Sequence, residues 1–137
     1  MVIIAALATT ILIVFGIQSQ KNEYWTYPIM LMLMPLNYVA FAWLGDTTTI
    51  VTQELLMMLP FVLAGTICLI KGVRWSGYIL AIGWLGHGLY DFFHESFFIN
   101  QGTPSWFGIY CGLIDVLVAM YLVYYSTRLA NQSWAKT

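Results

Sequence analysis

Four ionisable side chains, His87, Asp91, His94 and Glu95, fall within the nine residues HGLYDFFHE at 87–95. They interrupt a run, 77–98, whose other residues have the composition of a membrane span. On a helix turning about 100° per residue, His87, Asp91 and His94 lie within about 60° of one another, with Glu95 at the margin of that face. One helix can therefore present two imidazoles and a carboxylate as a single stripe. Imidazole nitrogen mixed with carboxylate oxygen is a donor set suited to Zn²⁺, Fe²⁺ or Mn²⁺. A charge at the bilayer centre costs about 2.5–3.5 kcal/mol on insertion scales, so such a cluster requires compensation. A bound metal provides it. So does mutual hydrogen bonding of protonated carboxyls and neutral imidazoles, and chains of these groups also serve as proton relays.

The elements that must carry this stripe follow from composition. The chain has 137 residues, 61% hydrophobic and 8% charged, with a mean hydropathy of +0.79. Soluble domains carry roughly a quarter charged residues, so this composition specifies an integral, multi-pass membrane protein. A net charge of −1 gives no basic surface for nucleic acid. Cys68 and Cys111 both lie in apolar runs and do not form a disulfide framework. The first run has neither a basic leader nor a small-residue cleavage site, which reads as a retained span.

A span needs about 20 apolar residues, with a usable range near 17–25. Five are expected, at about 2–17, 27–44, 50–70, 77–98 and 106–125, giving an all-α bundle that forms one domain, 1–137. Pro35 should kink the second span or free a carbonyl. Lys71–Ser76 reads as a basic turn, and 99–105 as a neutral polar loop. Lys21, Lys71, Arg74, Arg128 and Lys136, which are all the basic residues, then fall on one side, while the opposite loops hold only Asp46. The positive-inside rule places the N-terminus out and the C-terminus in. Trp25, Tyr27, Trp75, Tyr78, Trp106, Tyr124 and Tyr125 are expected in the aromatic belts.

Depth, taken from the rise of about 1.5 Å per residue, selects the partners of the stripe. His87 lies near the midplane, with Asp91, His94 and Glu95 in the outer half. Asp115 comes level with His87, Cys111 with Asp91, Glu54 with Asp91 and His94, and Asn37 with His87. Gly108 and Gly112 flank the Cys111–Asp115 face and permit close backbone approach, as do Gly83 and Gly86 below His87. The expected metal ligands are His87, Asp91, His94 and Asp115, with Glu54 or Glu95 as general base. Cys111 reads as a small packing residue, and Asn37 as a hydrogen-bond partner for backbone freed by Pro35.

The block GWLGHGLYDFFHE at 83–95, followed by Pro104, Cys111 and Asp115, resembles an uncharacterised family of small bacterial multi-span membrane proteins. Their pattern is G-W-x-x-H-x-x-W-D-x-x-H-H, a Pro-containing loop and C-x-x-x-D, with an acid in the preceding helix that Glu54 matches. Here Tyr90 replaces the Trp and Glu95 the second His. The resemblance implies that His87, Asp91, His94, Cys111 and Asp115 act as a unit in a bacterial inner membrane. The leading expectation is a membrane-embedded metalloenzyme, with zinc or iron, acting on a lipid-like substrate. Two alternatives stand beside it. One is a proton- or cation-relay transporter or channel subunit, for which five helices would need a homo-oligomer. The other is a metal-free accessory subunit of a membrane complex.

Overall fold

The computed structural model describes residues 2–20, 23–71 and 73–134. They form α1 (Val2–Gln20), α2 (Glu23–Leu33), α3 (Leu36–Leu44), a short 3₁₀ turn (Thr48–Ile50), α4 (Val51–Lys71), α5 (Val73–Phe97) and α6 (Phe107–Trp134). With α2 and α3 as two halves of one rod, this is the expected five-helix, all-α bundle. Trp25–Leu44, Thr48–Lys71 and Phe107–Arg128 are each long and apolar enough to cross a bilayer, and Val2–Gln18 is apolar but shorter. α5 has the length, at 25 residues, but its apolar run is broken by the polar stripe itself.

Large apolar side chains cover the outside of the bundle. Ile4, Leu12 and Phe15 on α1, Trp43 on α3, Leu63 on α4 and Ile82 on α5 are all exposed. Continuous apolar exposure on this scale would aggregate a soluble domain, whereas in lipid it needs no cover. The interior is built from Tyr27, Leu31, Tyr38, Trp84 and Val118.

Pro35 breaks the second rod as expected. It supplies no N–H, so the ladder restarts with Asn37 N–H donating to Met34 O (3.1 Å) and Tyr38 N–H to Pro35 O (3.2 Å). Asn37 does not repair the break. Its side chain is exposed on α3, and no hydrogen bond joins it to the described residues. Tyr27, expected in an aromatic belt, is fully buried against Trp84 instead. Trp25, Tyr78, Trp106 and Tyr124 are exposed as a belt requires. One connection and the C-terminal tail are also more helical than expected. α5 begins at Val73, so most of 71–76 is helical, and α6 continues to Trp134 through what reads as a tail. Of the basic residues, Lys21 and Lys136 lie outside the described residues, as does the side chain of Arg74.

The contact that positions the stripe is α5 against α6, the most extensive in the bundle, with α4 packed on α2 and α5, and α1 on α6. It is close because glycines face each other. A Cβ on Gly112 would stand 2.9 Å from the Gly88 carbonyl oxygen, and one on Gly108 would stand 2.6 Å from the Asp91 carbonyl oxygen. Gly83 and Gly86 face Leu31 and Phe61 instead, so the close approach to α6 comes from Gly88.

Candidate functional site

The α5 stripe divides into two polar groups, each completed by a different neighbour. His87, Asp91 and Asp115 form the first. His87 Nδ1 lies 2.6 Å from Asp115 Oδ2 and 3.5 Å from Asp91 Oδ2. One ligand atom from each of the three falls within 4.8 Å of the others, and all three residues are buried. His87 Nε2, both carboxylate oxygens of Asp91 and Asp115 Oδ1 have no hydrogen-bond partner among the described residues. Buried polar atoms are ordinarily paired, so the Asp91 oxygens and Asp115 Oδ1, beside His87 Nδ1, mark a place that a ligand could complete, while Nε2 is on the far side of the ring. Phe61 packs edge-on against the His87 ring at 4.9 Å, closing that side with hydrocarbon.

This group can hold a metal ion. Its N/O/O donors are those of a zinc, iron or manganese site. The present His87–Asp115 separation is a hydrogen bond, with one proton between ring nitrogen and carboxyl. Two ligands on one ion at about 2.1 Å stand roughly 3.0–3.4 Å apart. A metal held by His87, Asp91 and Asp115 would take the place of that proton.

His94 belongs to the second group. Its Nε2 lies 2.8 Å from Glu54 Oε1. The Tyr90 hydroxyl donates to Glu54 Oε2 at 2.7 Å, and Asn100 Nδ2 donates to Glu54 Oε1 at 3.4 Å and to Tyr38 O at 3.0 Å. Tyr38 stacks on the His94 ring with centroids 3.7 Å apart and 15° between planes. Glu54 is thus a fully engaged acceptor that orients His94. The structure brings His87, Asp91 and Asp115 together, brings Glu54 and His94 together, and leaves His94 outside the three-residue group. Glu95 is exposed, and Cys111 is half-buried as a free thiol.

Tyr38, Tyr90 and Asn100 are the members that sequence reasoning missed. Tyr90 carried a signal, because it lies three residues after His87 and four before His94, on the same helical stripe. Asn100, in a loop, and Tyr38, beyond the Pro35 break, have no periodic register with α5.

A pocket of about 120 Å³ opens beside the site, bordered by Tyr38, Asp91, Phe92, His94, Glu95, Thr103, Ser105, Gly108 and Ile109. It reaches Asp91 from the end of the bundle that carries the 98–106 connection. A separate apolar groove of about 190 Å³ follows the α5–α6 crevice toward the other end, past Tyr78, Leu85 and Val116.

Comparison of the chain with protein-family models, with curated proteins and with solved structures gave no match. The fold and the site together define the class: a helical membrane protein with a buried His/Asp group able to hold a metal.

Proposed function

We propose that this chain is a membrane-embedded metalloprotein whose ion is bound by His87, Asp91 and Asp115, and that it acts as an enzyme on a lipid-like substrate. The observation that carries this reading is the buried three-residue group, with ligand atoms within 4.8 Å and Asp91 oxygens that lack a close hydrogen-bond partner among the described residues. A zinc or iron ion there would supply Lewis acidity, or redox chemistry in the case of iron. Glu54 and His94 form the adjoining acid–base pair. Glu54 holds Nε2, so the other ring nitrogen of His94 is the one Glu54 leaves free for proton transfer. Glu95, at the pocket mouth, is the second candidate base. The substrate is lipid-like because Phe92 and Ile109 border the pocket and are exposed on the apolar side of the bundle.

In a bacterial inner membrane, the pocket would open to the outer leaflet, with the N-terminus out and the C-terminus in. Lys71 and Arg128, at the C-terminal ends of α4 and α6, support this orientation, since both lie at the end away from the pocket.

The decisive experiment is elemental analysis of the detergent-purified protein after exposure to Zn²⁺, Fe²⁺ and Mn²⁺ in turn. The expected result is close to one ion per chain, lost in His87→Ala and Asp115→Ala variants that keep their helical circular dichroism. Metal well below one per chain in every case, or unchanged in both variants, would overturn the proposal. The 2.6 Å His87–Asp115 contact favours a second reading, a proton relay running through these groups. That reading predicts proton flux in proteoliposomes and no stoichiometric metal.

A further inference from the structure

We infer that the apolar groove between α5 and α6 binds one acyl chain of an anionic phospholipid, whose phosphate is held at the basic end of the bundle. This site is separate from the pocket beside Asp91 and depends on no bound metal. The groove runs from Tyr78 to Leu85 on α5 and from Val116 to Val123 on α6, with a volume of about 190 Å³. At about 1.5 Å of rise per residue it is about 10 Å long. Its floor is Ala81 and Ala119, both buried, and its rim is Ile82 and Met120, both exposed. The alanines leave the recess open, since neither side chain reaches past its Cβ. The helices close up at both ends of it. A Cβ on Gly88 would stand 3.4 Å from Val116 Cγ2, and at the other end Gly77 packs on Ser126 Oγ. The groove is therefore a bounded recess and not a continuous seam.

Shape and depth select the occupant. A helix is about 10 Å across with its side chains and cannot enter a recess of about 190 Å³, whereas a hydrocarbon chain can. The groove lies to one side of His87 and Asp115, which share the level of the expected midplane. It thus covers about two-thirds of the roughly 15 Å that the chains of one leaflet occupy. Charge selects the head. No acid lines the groove among the described residues. Arg74 precedes Tyr78 by one helical turn on α5. Arg128 follows Val123 by little more than one turn on α6, its guanidinium 5.8 Å from the Tyr124 ring centroid. Lys71 ends α4 on the same side. Of the six acids in the chain, only Glu23 falls there by sequence order. A phosphate at that depth meets cations, and basic positions at the ends of transmembrane helices attract anionic headgroups. A zwitterionic head brings its own cation and gains less. A chain seated in the groove also braces the two helices whose approach brings His87 to Asp115.

The test is native mass spectrometry of the purified protein in maltoside detergent, titrated with phosphatidylglycerol or phosphatidylcholine carrying identical oleoyl chains. Phosphatidylglycerol is expected to bind one per chain, at least tenfold tighter than phosphatidylcholine, and to raise the thermal midpoint. Ala119→Leu fills the floor. Val123→Trp, at a position 44% exposed, covers the groove from its rim and leaves the core intact. Each should weaken both lipids at least tenfold. Arg74→Gln combined with Arg128→Gln should bring phosphatidylglycerol down to the level of phosphatidylcholine and leave phosphatidylcholine unchanged. Equal affinity for the two lipids in the parent protein, parental affinity in Val123→Trp, or an undiminished preference in the double arginine variant would overturn the inference. So would a dimer that lipid does not dissociate and that Val123→Trp abolishes, which would assign the groove to a second copy of the chain.

Discussion

His94 places its Nε2 2.8 Å from Glu54 on α4, while His87, seven residues earlier on the same helical stripe, places Nδ1 2.6 Å from Asp115 on α6. The two imidazoles share a face of α5 but serve different neighbours. This division makes the two histidines experimentally distinct. His94→Ala should retain close to the full metal content of the parent protein, because the ligands proposed for the ion are His87, Asp91 and Asp115. His87→Ala should fall to background. Turnover should fall in both. Loss of metal in His94→Ala equal to that in His87→Ala would mean that the two groups merge around one ion.

Tyr90 should matter through its hydroxyl rather than its ring. The hydroxyl donates to Glu54 Oε2 at 2.7 Å, and the Glu54 side chain is 1% exposed. Tyr90→Phe keeps the ring that packs edge-on against Tyr38 and His94 but leaves a buried carboxylate oxygen without its donor. The cost of such an orphan is about 1–3 kcal/mol. Thermal denaturation in detergent should show a clear drop in midpoint with helical content unchanged at low temperature. A midpoint equal to that of the parent would show that water or another donor replaces the hydroxyl.

Asn100 ties the 98–106 connection to both α3 and the site. Its amide donates to Tyr38 O at 3.0 Å and to Glu54 Oε1 at 3.4 Å. Asn100→Ala removes these donors, whereas Asn100→Asp also puts a second carboxylate beside Glu54 in a poorly solvated place. Asn100→Asp should therefore be the more destabilising of the two at neutral pH. The gap should narrow in acid as the new carboxyl takes up a proton. Midpoints measured at two pH values check both the order and its pH dependence, and equal midpoints at neutral pH would count against the geometry.

The pairs His87–Asp115 and Glu54–His94 were legible in the sequence because antiparallel helices with a fixed rise per residue bring equal depths together. The division between them was not legible. Helical angle shows that residues share a stripe, but it does not show which neighbour faces which turn. That depends on where α5 meets α6 most closely, and the contact is set by Gly88 against Gly112 and Gly108 against Asp91. The aromatic layer over His94 was hidden for a related reason. Tyr38 reaches it only because the chain restarts as α3 after Pro35, and because Gly102 of the connection packs on the Phe41 carbonyl at the end of α3. Asn37 was misplaced by the same break. The restarted helix turns its side chain outward, to the exposed face of α3.

The α5–α6 approach yields the sharpest structural prediction. A Cβ at Gly112 would meet the Gly88 carbonyl oxygen at 2.9 Å and the Phe92 ring at 3.0 Å. The nearest of these is backbone, which cannot move aside without shifting a helix. Gly112→Ala should therefore push α5 from α6, lengthen the His87–Asp115 contact, and lower both thermal stability and metal content. Gly16→Ala on α1 provides the control, because nothing lies within 4 Å of the added atom. Helix propensity alone favours that alanine by about 1 kcal/mol. The two substitutions are chemically identical and should move the thermal midpoint in opposite directions, with metal lost only in Gly112→Ala. A Gly112→Ala protein with parental midpoint and full metal would show that the helices are farther apart than the glycine contacts require.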